Sequence, residues 1–349
     1  SSRARSFTPC WPGTGTMTLS GNAKVLLADG YPNGYSYIGT AGAASSLLTQ
    51  TGGAIIGTGN QNIYIGAGST GTYTISGGTV TNLGMVLSDA AAGRFTVIGS
   101  QAKISPTLFY TRSTNTVLSM KFDSGGISPL NVTGALGVRL NDSAGMGGTA
   151  PYTGGTLTLG LNGGVAMFAT NTYTLITSPN GITGSFTATN RSVFTVNQSS
   201  TLFTASLDGG QKAFTPALTL GAPQAVPNLN AGWFAVSTNN LDGFSSFGVD
   251  LTISTNGAAQ PVSALASYLS GSGFTIGVVT NANNTFDLRL SSFPVSTTSS
   301  NSYFAWDFSS VDPQFQVTNA QLFIPEPSTL FLIGTGLVTL YWARRRRWR

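Results

Sequence analysis

The residue types that most often do chemistry are nearly missing from this chain. Histidine is absent and Cys10 is the sole cysteine. Without imidazole there is no Ser-His-Asp or Cys-His catalysis, no histidine proton shuttle and no His-bearing zinc site. A single cysteine allows neither an internal disulfide nor a Cys-rich metal site. Glycosidase or lyase chemistry would need clustered carboxylates, with calcium in many lyases. The aspartates are instead scattered. Asp242 with Asp250 and Asp307 with Asp312 are the closest acidic pairs of the C-terminal part, and turns or solvated strand ends account for them. No acid–base constellation stands out, so no catalytic residue, metal or cofactor is expected.

Two other patterns invite a chemical reading. Gly66-Ala-Gly-Ser-Thr-Gly71 fits G-x-G-x-x-G, and Asp89 follows at a suitable distance. A pyrophosphate would need a helix N-terminus after those glycines. Thr72-Tyr-Thr-Ile-Ser-Gly-Gly follows instead, which is strand chemistry. Thr-x-Thr pairs occur at Thr72/Thr74, Thr79/Thr81, Thr156/Thr158 and Thr172/Thr174. Aligned on a flat face they could order water, as an ice-binding surface does. They recur at no fixed period, and such pairs are also ordinary solvent-facing strand chemistry.

Charge is sparse and uneven. Charged residues make up 8% of the 349, against about 25% in ordinary soluble domains. Arg344, Arg345, Arg346, Arg347 and Arg349 crowd the last six positions, and Glu326 is the sole glutamate. Residues 1–325 therefore hold 11 basic and 10 acidic groups, so the net charge of +5 belongs to the tail. A nucleic-acid-binding face needs dispersed Lys and Arg, which this body lacks; no nucleic-acid partner is expected.

The tail has three consecutive parts. Pro325-Glu326-Pro327 is stiff and non-helical, because each proline fixes φ and disfavours helix in the residue before it. Leu330 to Ala343 is uncharged and mostly apolar; Leu330, Phe331, Leu332, Ile333, Leu337, Val338, Leu340, Tyr341 and Trp342 carry the apolar surface. The arginines follow. As a single hydrophobic helix this segment would span about 21 Å, short of the roughly 30 Å hydrocarbon core. Ser328 and Thr329 extend it and the arginines can snorkel. A span this marginal suits a segment held briefly and then processed. The arginines should remain cytoplasmic, so the body should be exported across the inner membrane. An ordinary tail anchor is the competing reading.

These residues resemble the PEP-CTERM sorting signal of Gram-negative bacteria, over Ile324 to Arg349. The resemblance implies recognition by an exosortase, a membrane-embedded transpeptidase-like enzyme. Pro325, Glu326 and Pro327 correspond to the signature triplet, Leu330 to Ala343 to the membrane segment, and Arg344 to Arg347 to the basic stop. It also implies transient membrane anchoring, then a cell-surface or extracellular destination associated with exopolysaccharide. The same terminal signature is also known as an ice-binding-protein C-terminus, a label that does not establish ice binding. Ser1 to Ser20 has Arg3 and Arg5 but no apolar run, so an export signal is expected upstream of the present first residue.

The elements that would carry such a tail read as all-β. Tyr37-Ile38-Gly39 recurs as Tyr64-Ile65-Gly66 and, diverged, as Val86-Leu87-Ser88, at offsets of 27 and then 22. Gly52-Gly53 recurs as Gly77-Gly78, and Gly99-Ser100 takes the corresponding place later. Periods of this size belong to solenoids. Apolar–polar alternation between the glycines predicts half-buried strands, with Ile38, Ile65, Tyr73, Ile75 and Val80 inward. The expected fold is an N-terminal parallel β-helix (solenoid), then a β-sandwich-like domain and a single C-terminal hydrophobic helix. Gly71-Thr-Tyr-Thr-Ile-Ser-Gly-Gly-Thr-Val80 resembles autotransporter-like passenger repeats. Asn171 to Phe186 resembles their closing coils, and Val193 to Leu207 their final strands. A Gly-rich sandwich throughout is the alternative.

The expected organisation is an N-terminal segment over 1–17, solenoid repeats over 18–208, a Pro-containing linker over 209–227, a sandwich-like domain over 228–322 and the sorting tail over 323–349. Within 228–322, Pro261 to Leu269 is predicted as a short helix. Trp233, Phe234, Phe244, Phe247, Phe274, Phe286, Phe293, Phe304, Trp306 and Phe308 are expected in the core more than on a sugar platform. The function expected is that of an exported structural or adhesive protein. Its partners would be exosortase, the inner membrane transiently, and exopolysaccharide or neighbouring surface proteins. An ice-binding solenoid or a polysaccharide-active enzyme are the alternatives.

Overall fold

The computed structural model describes residues 2–4, 15–27, 35–39, 45–58, 61–87, 91–140, 153–168, 170, 172–188, 193–207, 213–214, 223–227, 229, 233–237, 246–254, 275–280, 285–294, 303–307 and 316–324. The described structure is all-β. Its strands begin β1 (Ser2–Ala4), β2 (Gly15–Leu19), β3 (Lys24–Leu27), β4 (Tyr35–Ile38), β5 (Ser45–Gly57), β6 (Asn62–Ile65), β7 (Thr70–Thr81) and β8 (Gly84–Leu87). Then come β9 (Gly93–Ile98), β10 (Ala102–Ser105), β11 (Leu108–Thr111), β12 (Val117–Phe122), β13 (Leu130–Asn131), β14 (Val138–Arg139) and β15 (Thr153–Leu161). Next are β16 (Val165–Phe168), β17 (Thr172–Thr177), β18 (Ile182–Thr183), β19 (Ser185–Ala188), β20 (Thr195–Gln198) and β21 (Leu202–Ser206). The last are β22 (Ala213–Phe214), β23 (Gln224–Ala225), β24 (Trp233–Ser237), β25 (Ser246–Ser254), β26 (Thr275–Thr280), β27 (Thr285–Pro294), β28 (Tyr303–Asp307) and β29 (Gln316–Phe323).

Strands β1 to β19 pair with one another in parallel, and from β2 on these pairings follow three stacks. One runs β2-β5-β7-β9-β12-β15-β19, a second β3-β5-β7-β10-β13-β17, and a third β4-β6-β8-β11-β14-β18. The long strands β5 and β7 serve two stacks because each bends at its glycine pair. Gly53 and Gly78 sit at φ +68° and +86°, where a side chain is strained. They also stack on one another: a Cβ on Gly78 would stand 2.5 Å from the Gly53 carbonyl oxygen. The sequence repeat is thus a packing repeat. Tyr37 pairs with Tyr64 and Ile38 with Ile65, then Tyr64 with Val86 and Ile65 with Leu87, at the offsets read from the sequence.

Alternation decides which side chains point inward. Ile38, Ile65, Tyr73, Ile75 and Val80 are all buried, as expected. Inner columns run Leu48–Tyr73–Phe95–Leu118–Leu157 and Val25–Ile55–Val80–Ile104–Leu130–Ile176 through the ladders. Each fully buried aliphatic or aromatic side chain contributes about 1.5–3 kcal/mol of transfer free energy. Gln50 is a fully buried polar residue of this core: it donates to the carbonyls of Gly53 and Thr79 and accepts from the Tyr73 hydroxyl.

The parallel run ends in antiparallel strands. β17 pairs antiparallel with β21, and β21 with β20. Nearby, Phe122 stacks on Phe194 at 4.0 Å between ring centroids and meets Phe168 and Tyr173 edge-on.

The remaining strands form two sheets, ordered β16-β28-β24-β22 and β23-β29-β25-β27-β26. The first takes β16 from the N-terminal half, so strands from both sides of the proline-containing stretch 209–227 share a sheet. Phe247 of β25 packs edge-on against Phe304 of β28 at 5.8 Å, bringing the two sheets together. Phe247, Phe304 and Trp306 are fully buried, in keeping with a core role.

The expected C-terminal helix over Leu330 to Ala343 and the short helix over Pro261 to Leu269 lie outside the described residues. Among the described residues there is no α-helix, and none long and apolar enough to cross a membrane.

Candidate functional site

The sorting tail begins where the last described strand ends. Pro325, Glu326, Pro327, the apolar residues from Leu330 to Trp342 and the arginines from Arg344 to Arg349 lie outside the described residues. Their point of attachment does not. β29 runs between β25 and β23, and it is held to β25 as far as its last residue, Phe323, which pairs with Gly248. Ile324, which follows, is buried.

The attachment is built from three side-chain relationships. A Cβ on Gly248 would run into the Phe323 ring, so the missing side chain makes the bed for that ring. The Arg289 guanidinium of β27 lies over the same ring, 4.8 Å from its centroid. Arg289 is itself oriented by a bidentate ion pair, Nε donating to Asp250 Oδ1 at 2.7 Å and Nη2 to Oδ2 at 2.6 Å. These hydrogen bonds, and then the carboxylate charge, hold the guanidinium above its ordinary pKa. Both partners are well exposed, so the pair orients more than it stabilises. Sequence reading placed Asp250 in a solvated strand end and passed over Gly248, Arg289 and Phe323. The signal that was available is an Asp and an Arg of opposite charge on alternating strands.

The threonines are arranged by the first stack. Thr18, Thr49, Thr74, Thr96, Ser119 and Thr158 succeed one another in register as one column. Adjacent rungs are about 4.8 Å apart. The neighbouring column reads Thr16, Leu47, Thr72, Arg94, Val117, Thr156 and Thr187. Thr72/Thr74 and Thr156/Thr158 therefore share a face, whereas Thr79/Thr81 lies in the second stack and Thr172/Thr174 on β17. The outer array is continuous in hydroxyls but broken beside them by Leu47, Arg94 and Val117. Thr96 and Ser119 are buried, so the middle of the hydroxyl column does not face solvent.

A second outward column, missed from the sequence, lies on the third stack: Tyr37, Tyr64, Val86, Tyr110 and Arg139. Tyr64, Val86 and Tyr110 form a small apolar cluster separate from the main core. Arg112 lies over Tyr64 at 5.6 Å and Arg139 over Tyr110 at 5.4 Å. The recurrence of Tyr-Ile-Gly was the visible part of this column.

The remaining candidates do not assemble. The glycine loop Gly66 to Gly71 leads directly into β7, and a Cβ on Gly66 would meet the Ala92 carbonyl oxygen at 2.5 Å; its glycines serve close stacking of turns. Asp250 is engaged by Arg289, Asp307 is buried, and Asp242 and Asp312 lie outside the described residues. Among the described residues no group of three or more His, Cys, Asp or Glu side chains could hold a metal ion.

Comparison with known proteins supports the reading of the tail. Residues 323–347 match the PEP-CTERM protein-sorting motif. No match was found among curated proteins or among solved structures, so the resemblance to autotransporter-like passengers has no support from them. The motif marks the chain as an exported protein sorted by an exosortase, bound through the membrane for the cell surface or the extracellular space.

Proposed function

We propose that this is a non-enzymatic surface or matrix protein whose body is a display scaffold and whose tail is its address. The body comprises a parallel β-helix over 18–208 and a β-sandwich-like domain over 228–322, joined through the β16–β28 pairing. The tail enters the inner membrane, leaves its arginines in the cytoplasm and is removed by exosortase. The observation that carries the reading is the sorting motif, which starts on Phe323, the last residue of β29, itself paired with Gly248. The partner chemistry is weak, multivalent contact with exopolysaccharide or neighbouring surface proteins. A nearly neutral body rich in hydroxyl and amide groups supports it. Retention of the body on the producer's own exopolysaccharide tests the binding role; passage through such a matrix without delay would remove it.

A second reading, ice binding, is favoured by the Thr18–Thr158 column alone. Inhibition of ice recrystallisation by the wild-type body, lost in Thr74→Lys, would support it. An inactive wild type at high concentration would eliminate it.

A further inference from the structure

We propose that Gly248, Phe323 and Arg289 form a clamp that sets the position from which the sorting triplet is presented to exosortase. The inference rests on the sorting reading and adds positioning residues from outside the matched motif. Gly248 and Arg289 lie 75 and 34 residues before Phe323 in the chain, yet both pack against its ring. Asp250 holds the guanidinium in place with two charge-assisted hydrogen bonds. Ile324 is buried, so the folded body reaches to the residue before Pro325. Five residues, Pro325 to Thr329, then separate the body from the apolar segment at Leu330. Even fully extended they cover no more than about 18 Å.

The short tether gives the clamp its effect. With β29 paired to its end, chain length alone keeps the triplet within about 18 Å of the end of the folded sheet. When the clamp opens, the end of β29 frays, the tether lengthens and the triplet samples a larger volume. A membrane-embedded enzyme then meets it in the productive position for a smaller fraction of the time. Apparent affinity falls in proportion to that fraction. Gly248 and Arg289 are positioning residues in this account, because they act through Phe323 and touch no reacting bond.

The test uses the full-length chain and exosortase-containing membranes of the producing organism, with loss of the tail followed by intact mass. Arg289→Ala and Gly248→Ala should raise the apparent KM for processing about twofold to fivefold, the range expected for losing a cation–ring contact. Arg289→Lys, which keeps a cation near the ring, should restore most of the difference. A Gly-Ser-Gly-Ser insertion between Ile324 and Pro325 leaves the clamp untouched and should raise KM in the same way. That insertion separates presentation from any folding defect in the substitutions. Shortened wild type with variants of unchanged or lower KM would overturn the clamp alone. A wild-type chain that keeps its tail would overturn the sorting reading and the clamp with it.

Discussion

The hydroxyl of Tyr73 donates to Oε1 of Gln50, joining the paired strands β7 and β5 inside the core, where both side chains are fully buried. Gln50 uses its amide nitrogen on the carbonyls of Gly53 and Thr79, so the pair also ties the glycine corner to the adjacent turn. Tyr73→Phe leaves the Gln50 oxygen buried without that donor. It should cost about 1–3 kcal/mol, read as a lowered denaturant midpoint. An unchanged midpoint would show that the pair contributes nothing net.

Burial also raises the pKa of Tyr73 well above that of a free phenol. It does the same at Tyr173, where the Asp123 charge adds to the shift. The unfolded chain therefore releases these protons first, as pH passes about 10. Stability from these groups is intact below that pH and declines above it. Tyr73→Phe should flatten the decline, which unfolding measured between neutral and alkaline pH would reveal.

Gly78→Ala combines a positive φ with a Cβ placed 2.5 Å from the carbonyl oxygen of Gly53. A loss of about 1–3 kcal/mol is expected from the backbone alone, with more from the displaced corner. Gly21→Ala is the control: it shares a positive φ but meets nothing within 4 Å, so its cost should be smaller. Equal costs in chemical denaturation would show that stacking of the corners is unimportant.

Phe122→Ala should be among the most damaging substitutions, at about 3–5 kcal/mol. Its ring contacts Phe168, Tyr173 and Phe194, which come from the segments that close the parallel stacks. Phe122→Leu should retain part of the loss. Thermal unfolding of both variants checks the order.

For the tail, replacing Glu326 or deleting Arg344 to Arg347 should leave the body folded and its melting temperature unchanged. Surface delivery should fail in both. Fractionation of the producing cells, with the body detected in each fraction, provides the measurement; normal display of either variant would contradict the sorting role.

The core was legible because alternation and paired glycines are local signals. Ile38, Ile65, Tyr73, Ile75 and Val80 could be assigned inward from a few neighbours each. The threonine column was not, because the chain length between its rungs varies from 22 residues (Thr74 to Thr96) to 39 (Ser119 to Thr158). Turns absorb the difference while the ladders keep register, so a search for a constant period misses the alignment. The bed under Phe323 was hidden for another reason. It depends on Gly248 being opposite in an antiparallel ladder, a non-local pairing that neither residue signals alone. The tail triplet, in contrast, was readable as contiguous sequence.

The antiparallel closure at β21 and β20 has a consequence for how copies of this chain coexist at high density. A run of parallel rungs exposes at its end a backbone edge that could accept the next rung from another molecule. Here that edge in the second stack is covered by β21, antiparallel to β17, and β20 follows antiparallel to β21 with Asn197 and Gln198 exposed. Among the described residues, end-to-end joining through this stack would have to start from β20, an edge of only four residues, and short edge strands are poor templates for pairing.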